Sequence, residues 1–352
     1  ASRLSYQFWE TMPDDSLWQA ASDGTLRQPE IYARQVQRIY DDPRTETTLA
    51  RFVADWLKVE DLPPLDAHNQ DPVFDTFAGS NRPSPALRQQ MIDDVTAMVG
   101  YYAFTRPGSM TDLLTSELSF NKGTELAAIY GVGAWDGVSA PPAFAPGLRP
   151  GLLTRALFLT SGAASTRPIH KGAFIRRRIL CDDIPPPPPG VNAVPPEPRP
   201  DMTTREAVEQ LTEKPGTVCL GCHGTAINAL GFATENFDAL GRGRTAQRLF
   251  DGAGNEVGQR PVDTRSIPAV QAGDMTASSG PGDLARLIVA SGKAEACLAR
   301  NYFRFTFARW EDVTRDGCTL EQLRMRLGNA GTLGALFKEV ALSPQFRRRV
   351  FQ

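Results

Sequence analysis

Hydrophobic side chains recur at helical spacing through most of the chain. In residues 45–58 they stand at positions i, i+3, i+4 and i+7, which puts them on one face of an amphipathic helix. The same spacing, with proline or a capping-box pattern at several starts, predicts further helices. They are one opening at Pro29, one opening at Ser84-Pro85, Asp112–Phe120, Thr124–Tyr130, Ala173–Cys181, one opening at the capping box Thr203–Glu206, Pro281–Phe307, Leu320–Leu327 and Leu333–Leu342.

Several stretches interrupt this helical pattern. Residues 135–150 are rich in Gly and Pro, which indicates an irregular connection. Residues 151–160 are apolar and form a helix or a buried strand. The proline run at 185–200 predicts a stiff, extended strap. Residues 245–262 are typical of a β-hairpin that turns at 251–254.

We therefore expect a mainly α fold in three parts. Residues 1–134 are predicted to form a helical domain, and residues 135–200 a connecting segment with a helix and the proline strap. Residues 201–352 are predicted to form a second helical domain with a small β-hairpin. The length of 352 residues suffices for two or three domains with hydrophobic cores.

The balance of charged residues indicates which kinds of molecule the chain is not expected to attract. The chain has 38 Lys and Arg against 40 Asp and Glu, a net charge of −2. Such a balance predicts no attraction to nucleic acid or to a membrane surface. No apolar run approaches the roughly 18 residues that a membrane-spanning helix needs, so no transmembrane segment is expected.

The motif with the most specific spacing is Cys219-Leu220-Gly221-Cys222-His223. Two thiols three residues apart share a helix face and can each bond to one haem, while the adjacent imidazole binds the iron. A redox dithiol would call for a strand–turn–helix context, and the preceding residues form a polar loop instead. A zinc site usually has a second Cys or His pair, which the sequence lacks. The motif thus predicts one covalent haem c, with zinc and dithiol as alternatives.

Side chains near the motif are candidates for contacts with the haem. Phe232 and Phe237 are placed to wall it, and Arg242 follows in the same stretch. The run Arg176-Arg177-Arg178 favours a solvated face, with pairing to haem propionates or to an acidic partner as the alternative.

The remaining cysteines bear on the cellular compartment. Cys297 and Cys318 flank a helix-and-loop span and are expected to form a disulfide. Cys181 is then left as a buried thiol or as the partner of a cysteine outside this sequence. Covalent haem and spare cysteines favour an exported compartment, periplasmic or extracellular. The chain opens at Ala1 without a leader, so we expect any export signal to have been removed or to lie upstream.

Four stretches together resemble one known family. They are Ser2–Tyr6 with Trp9 and Met12–Asp15; Arg167–Gly172 continuing to Leu180-Cys181 and the proline run; Cys219–His223; and Gly231–Arg244 with the C-terminal helices that include Cys297 and Cys318. In this order they are similar to the multi-domain planctomycete-type cytochrome c-like proteins, which consist mostly of consecutive domains of unknown function. The resemblance implies an exported haem c protein of poorly defined activity.

The resemblance also implies a departure at the start of the chain. Members of this family usually carry further domains before the stretch that corresponds to Arg3-Leu4-Ser5-Tyr6. We therefore expect the first domain to be incomplete, with the missing part cleaved off, encoded as a separate chain or not included.

The function depends on the sixth ligand of the iron. A haem with both axial positions filled shuttles electrons, whereas an open position binds peroxide or oxygen. Met275 lies in a loop after the motif and before a helix, where class I cytochromes c place their distal methionine. His170, ahead of the motif, is the alternative ligand.

The favoured function is electron transfer by a mono-haem c-type cytochrome, docked to a redox protein or within a larger membrane-associated complex. The alternative is a haem enzyme of the peroxidase or oxidase type with an open iron, in which His170 or Arg242 would act on the distal side. A single C-x-x-C-H motif weighs against that alternative, because di-haem peroxidases carry two. A structural module with a vestigial haem is a third class.

Overall fold

The computed structural model describes residues 1–186, 199–328 and 331–348. Within these ranges the protein is mainly α-helical and has a single two-stranded antiparallel sheet, so the predicted fold class is confirmed. The predicted proline strap falls mostly on residues 187–198 and lies outside the described residues. Across the described ranges, each helix is too short or too polar to cross a bilayer.

Short helices joined by turns make up most of the chain, and the hairpin lies in its C-terminal half. The α-helices are α1 (Ser2–Trp9), α2 (Asp15–Ser22), α3 (Pro29–Tyr40), α4 (Arg44–Leu57), α5 (Pro72–Ala78), α6 (Leu87–Gly100), α7 (Met110–Thr115), α8 (Thr124–Tyr130), α9 (Ala156–Leu159), α10 (Pro168–Phe174), α11 (Thr204–Thr212), α12 (Val218–Cys222), α13 (Asn228–Phe232), α14 (Pro281–Ser291), α15 (Lys293–Phe307), α16 (Val313–Met325), α17 (Leu333–Leu342) and α18 (Pro344–Arg347). Short 3₁₀ turns are Thr25–Arg27, Val59–Asp61, Gly79–Asn81 and Leu152–Thr154, and π-helical turns are Tyr101–Thr105, Ile175–Ile179 and His223–Ile227. The strands are β1 (Ala246–Phe250) and β2 (Glu256–Pro261).

Most predicted helices lie where the hydrophobic pattern put them. Helices α3, α4, α8 and α17 and the β-hairpin are confirmed. The capping box at α11 is also confirmed, since Thr203 and Glu206 exchange side chain and backbone hydrogen bonds. The helix predicted from Pro281 to Phe307 is divided at Gly292, whose φ of 67° ends α14, because a left-handed residue terminates a helix. The helix predicted from Asp112 ends at Thr115.

The chain forms two compact units that are each assembled from separated segments. The first consists of Ala1–Lys58, Val99–Met110 and Glu295–Gln352, and the second of Val59–Met98 and Thr111–Ala294. The three-part division predicted at residues 134 and 200 stays a prediction.

The first unit has an aromatic core. The Phe52 ring contacts three others at centroid distances of 5.0–5.9 Å, and these are Tyr302, Phe305 and Phe337. The Tyr302 hydroxyl accepts a hydrogen bond from the Gln7 amide at 3.0 Å. This polar tip is therefore satisfied although it is buried, as core tyrosines require.

The second unit contains the hairpin and the Cys219–His223 motif. The two strands pair with Ala246 opposite Pro261. Phe250, the last residue of β1, packs in an apolar cluster with residues of α5 and of the segment before the hairpin. The other members of that cluster are Phe74, Phe77, Ala78, Ala239 and Leu240. This packing fixes the chain that leads away from the motif.

Candidate functional site

The Cys219–His223 motif lies at the junction of two short helices. Helix α12 carries both cysteines, the π turn His223–Ile227 follows, and α13 begins directly after it. Cys219 and Cys222 are free thiols, and both are partly exposed. Since residues three apart share a helix face, the two sulfur atoms can be reached together from solvent.

His223 is held by a buried amide. Its Nδ1 atom lies 3.2 Å from Oδ1 of Asn228, and Asn228 is fully buried. On a regular α-helix, residues five apart point about 140° away from each other. A π turn bonds residues i and i+5 and so brings them to one side. The π turn thus makes the contact between His223 and Asn228 possible.

The other hydrogen bonds of Asn228 fix which way its amide points. Its Nδ2 atom donates to Thr212 Oγ1 at 2.9 Å and to Glu213 Oε1 at 2.8 Å. The Thr212 hydroxyl donates its own proton to a backbone carbonyl, so toward Asn228 it acts as an acceptor. Asn228 therefore presents its oxygen to His223, whose Nδ1 carries the proton. In the neutral form of the imidazole, the Nε2 lone pair is then available as a metal ligand.

Next to the motif, helices α10 and α13 cross with their backbones in close contact. A Cβ atom at Gly172 would lie 1.9 Å from the carbonyl oxygen of Ile227, and one at Gly231 would lie 2.0 Å from the carbonyl oxygen of Pro168. Any side chain at either position would overlap the opposite backbone, so glycine is required. Because Ile227 closes the π turn, the crossing holds that turn against α10.

Arg176 binds the same π turn through its side chain. The side chain is buried, and Nε donates to the carbonyl oxygen of Ala226 at 2.9 Å. Nη1 pairs with Asp182 at 3.1 Å, and Nη2 donates to the carbonyl oxygen of Pro268 at 3.0 Å. The predicted solvated face holds for the exposed Arg177 and is wrong for Arg176, because the donors of Arg176 satisfy buried carbonyl groups.

A buried cluster of charges joins α10 to the segment after α13. Lys171 Nζ lies 2.7 Å from one carboxylate oxygen of Glu235, and the other oxygen accepts from Thr166 at 2.7 Å and from Arg244 at 2.9 Å. Burial alone would raise the pKa of Glu235, but the charges of Lys171 and Arg244 lower it below its usual 4.5. The carboxylate is therefore ionised at neutral pH and anchors α10.

The two predicted aromatic walls are core residues of the second unit. Phe232 and Phe237 are 3% and 0% exposed. The guanidinium group of Arg205 lies 4.6 Å from the centre of the Phe232 ring, and that of Arg149 lies 4.7 Å from the centre of the Phe237 ring. Their contact with a haem stays a prediction.

Arg242 ties the segment after α13 to α5. Its Nε donates to Asp238 at 2.6 Å. Its two terminal nitrogens donate to the carbonyl oxygens of Phe77 at 2.8 Å and Ala78 at 3.0 Å. The role of Arg242 at a haem also stays a prediction, and the contacts made by the side chain are structural.

The two candidates for the sixth ligand lie on different elements of the second unit. Met275 is 72% exposed in the loop before α14. His170 is exposed on α10; partial burial of its ring and the charge of Arg167 lower its pKa. This keeps the imidazole neutral at pH 7, which is the form that binds metals. The choice between the two stays a prediction.

The cysteines pair differently from the prediction. Cys318 is exposed and free, whereas Cys181 and Cys297 are disulfide-bonded. The predicted bond between Cys297 and Cys318 is therefore wrong. Cys297 is 1% exposed, and closeness in sequence does not bring two Cβ atoms within the roughly 3.5–4.5 Å that a disulfide needs.

The side chains at the motif have the chemistry that haem c attachment uses. They offer two free thiols on one face and an imidazole whose Nδ1 is already bonded. Val218, which precedes Cys219, is 70% exposed, and Leu211 near the end of α11 is 50% exposed. In the described part of the chain, no three His, Cys, Asp or Glu residues gather as a zinc site would require.

Two family models match consecutive parts of the chain. Residues 1–132 match PSD4, a protein of unknown function (DUF1592), and residues 149–247 match PSCyt3, a protein of unknown function (DUF1588). Both are domain families of the planctomycete-type cytochrome c-like proteins, and the Cys219–His223 motif lies within the second match. No curated protein and no solved structure matches the chain.

Proposed function

We propose that this chain, which carries consecutive domains of two cytochrome c-like families of unknown function, is a mono-haem c-type cytochrome that transfers electrons. The observation that carries the proposal is the 3.2 Å contact between His223 Nδ1 and the buried Asn228, beside two free thiols. A histidine ligand almost always donates its second ring N–H to such an acceptor. When bound, haem c supplies an iron that gains and loses one electron.

The residues of the motif have separate tasks in this proposal. Cys219 and Cys222 would each form a thioether bond, in which the sulfur bonds to one vinyl carbon and the thiol hydrogen passes to the other. His223 would bind the iron through Nε2. Asn228 holds the imidazole ring in place, and the carboxylate of Glu213 that accepts from Asn228 strengthens the pull of the amide oxygen on the Nδ1 proton. A stronger pull makes Nε2 a better electron donor.

We propose an exported location and a redox partner on the same basis. Cys181 and Cys297 are disulfide-bonded, and disulfides persist mainly in oxidising compartments such as the periplasm. A carrier of one electron needs a donor and an acceptor. We therefore expect the chain to work with a redox protein or within a larger membrane-associated complex.

Covalent attachment can be tested by removing both thiols. The double variant Cys219→Ala, Cys222→Ala, produced together with a haem maturation system, should lose haem staining on a denaturing gel, while the unaltered chain keeps a stained band at 38.4 kDa. Cys318→Ala is the matched control, because Cys318 is also free and should not affect staining. Haem retained on the double variant, or absent from the unaltered chain, would contradict the proposal.

A visible spectrum with and without carbon monoxide separates the carrier from the enzyme. A low-spin spectrum that does not respond to the gas means that both axial positions are filled, as electron transfer requires. Uptake of carbon monoxide by the reduced form means an open iron. That result would favour a peroxidase or oxidase over the proposed carrier.

A further inference from the structure

The first compact unit contains a cleft lined by arginine side chains. Its volume is about 1540 Å³, which exceeds the roughly 300–1,000 Å³ of pockets that enclose a small molecule. The six arginines that line it are Arg3, Arg27, Arg309, Arg315, Arg347 and Arg348. The volume of the cleft is therefore that of an open groove, which can hold an extended segment of a polymer.

The acidic side chains of the cleft are already engaged. Asp316 pairs with Arg309 at 2.7 Å. Asp312 caps the N-terminus of α16 by accepting from the backbone nitrogens of Thr314 and Arg315. Among the described side chains that line the cleft, these two aspartates against six arginines leave four excess positive charges, in a chain whose net charge is −2. The cleft is thus a local concentration of positive charge.

Aromatic rings hold several of the guanidinium groups in place. Arg347 lies 4.7 Å from the centre of the Tyr32 ring, and Arg3 lies 4.6 Å from the centre of the Phe346 ring. Such stacking uses the flat face of a guanidinium group. The N–H groups lie at the edge of the guanidinium group, where a carboxylate can be bound with two hydrogen bonds; Arg3 already donates one of them to the carbonyl oxygen of Arg348 at 3.5 Å.

Three of the arginines have no acidic partner within residues 1–186, 199–328 and 331–348, and these are Arg27, Arg347 and Arg348. All three are exposed. The cleft therefore offers donors for negative groups that the described chain does not itself supply.

Gln345 adds a hydrogen-bond acceptor to the same cleft. Its Oε1 atom is buried and has no hydrogen-bond partner among the described residues. A buried acceptor without a partner is costly, and rotation of the Gln345 side chain toward the cleft would let its oxygen accept from a ligand that carries an N–H group. Peptide backbones carry such groups, whereas phosphate and sulfate polymers are mainly acceptors.

We propose that this cleft binds an acidic peptide segment of a partner protein. Asp or Glu side chains of that segment pair with Arg27, Arg347 and Arg348, and one of its backbone N–H groups donates to Gln345. The inference stands apart from the haem proposal, because all its residues belong to the first unit.

The test measures fluorescence anisotropy of a labelled octaglutamate peptide with the full 352-residue chain. Binding should occur at low ionic strength and weaken as salt screens the charges. The double variant Arg27→Ala, Arg347→Ala should bind about tenfold more weakly, at about threefold for each exposed ion pair. Arg34→Ala is the matched control, since Arg34 is exposed on α3 outside the cleft and should change binding less than about twofold.

Gln345→Leu tests the peptide character of the ligand, since it should weaken octaglutamate binding about threefold and leave binding of a heparin oligosaccharide unchanged. Unaltered melting temperatures establish that the variants fold, and Arg27→Gln alone serves if the double variant does not. Three results would overturn the proposal: no binding at low ionic strength, equal losses in the cleft and control variants, or tighter binding of heparin than of the peptide.

Discussion

The fold holds His223 and the two candidates for the sixth ligand in different ways. His223 contacts the fully buried Asn228, and the turn that follows it is bound by Arg176 and by the glycine crossing. Met275 is 72% exposed in a loop, and His170 is exposed on α10. The histidine that would bind the iron next to the two cysteines is thus held by the packed structure, and the two candidates for the other ligand lie at the surface.

This difference indicates which side chains would lose conformational entropy on binding the iron. A side chain that is already ordered loses little entropy when it binds a metal, whereas an exposed methionine loses up to about 1.5–2 kcal/mol of rotamer freedom when it is fixed. We therefore expect substitutions beneath His223 to change the free energy of unfolding. Substitutions at Met275 or His170 should change the spectrum and leave stability nearly unaltered.

The largest expected effect comes from removing the buried carboxylate beneath the site. Glu235→Gln leaves the charges of Lys171 and Arg244 buried without their partner, so it should lower the free energy of unfolding by about 3–5 kcal/mol. Urea denaturation measures this. Glu209→Gln is the control, because its pair with Arg205 is more exposed and its loss should cost about 0–1 kcal/mol. Equal losses in the two variants would contradict the importance of the buried cluster.

The same carboxylate predicts a dependence of stability on pH. The pKa of Glu235 in the folded chain lies below its usual 4.5, so its contribution is complete above about 4.5 and is lost as the pH falls through the lower folded pKa. Melting temperatures between pH 7 and pH 3 should therefore fall more steeply for the unaltered chain than for Glu235→Gln. Parallel curves would assign the acid sensitivity to other groups.

The glycine crossing should give the next largest effect. Gly172→Ala places a Cβ atom on the carbonyl oxygen of Ile227, which should destabilise the fold by about 3 kcal/mol through overpacking. In Gly317→Ala the new Cβ atom meets no atom within 4 Å on α16, so this control should be neutral or stabilising by up to about 1 kcal/mol. A melting temperature for Gly172→Ala equal to that of the unaltered chain would mean that the helices can separate at no cost.

Asn228 should have a smaller effect on stability and a distinct effect on the haem. Asn228→Ala removes the acceptor of His223 and should cost about 1–2 kcal/mol. In haem-loaded protein it should also raise the reduction potential, because a less electron-rich Nε2 stabilises the ferric iron less. Thr225→Ala, in the same π turn but exposed, should leave the potential unchanged. A potential that does not move in Asn228→Ala would remove Asn228 from the proposed role.

The smallest effect on stability is expected at Met275. Met275→Ala should change the free energy of unfolding by less than about 0.5 kcal/mol, as exposed substitutions do. If Met275 binds the iron, the reduced variant should take up carbon monoxide. An unchanged spectrum would assign the ligand to His170, and His170→Ala would then open the iron.

The sequence predicts those features that depend on local spacing. The C-x-x-C-H motif, the capping box at Thr203 and the hairpin are recognised because each is defined by residues a few positions apart. Asn228 escapes such reasoning, since a residue five positions after His223 is not a neighbour on an α-helix. The π turn that makes it one has no pattern of its own in the sequence.

Contacts between distant segments are the other part that the sequence does not predict. The requirement for glycine at Gly172 and Gly231 is apparent only once α10 and α13 are seen in contact. Arg176 belongs to a basic run that is typical of a solvated surface, yet it is buried against the carbonyl oxygen of Ala226. The predicted pairing of the cysteines is wrong for the same reason. Proximity in three dimensions, which the sequence does not show, decides which cysteines form a disulfide.

The glycine crossing also has a consequence for recognising relatives of this chain. A descendant can lose its thiols by two point mutations, but it can lose Gly172 or Gly231 only if α10 and α13 move apart together. We therefore expect the two glycines to persist in relatives whose C-x-x-C-H motif has decayed. In those relatives, the two glycines would indicate common ancestry even though the C-x-x-C-H motif is lost.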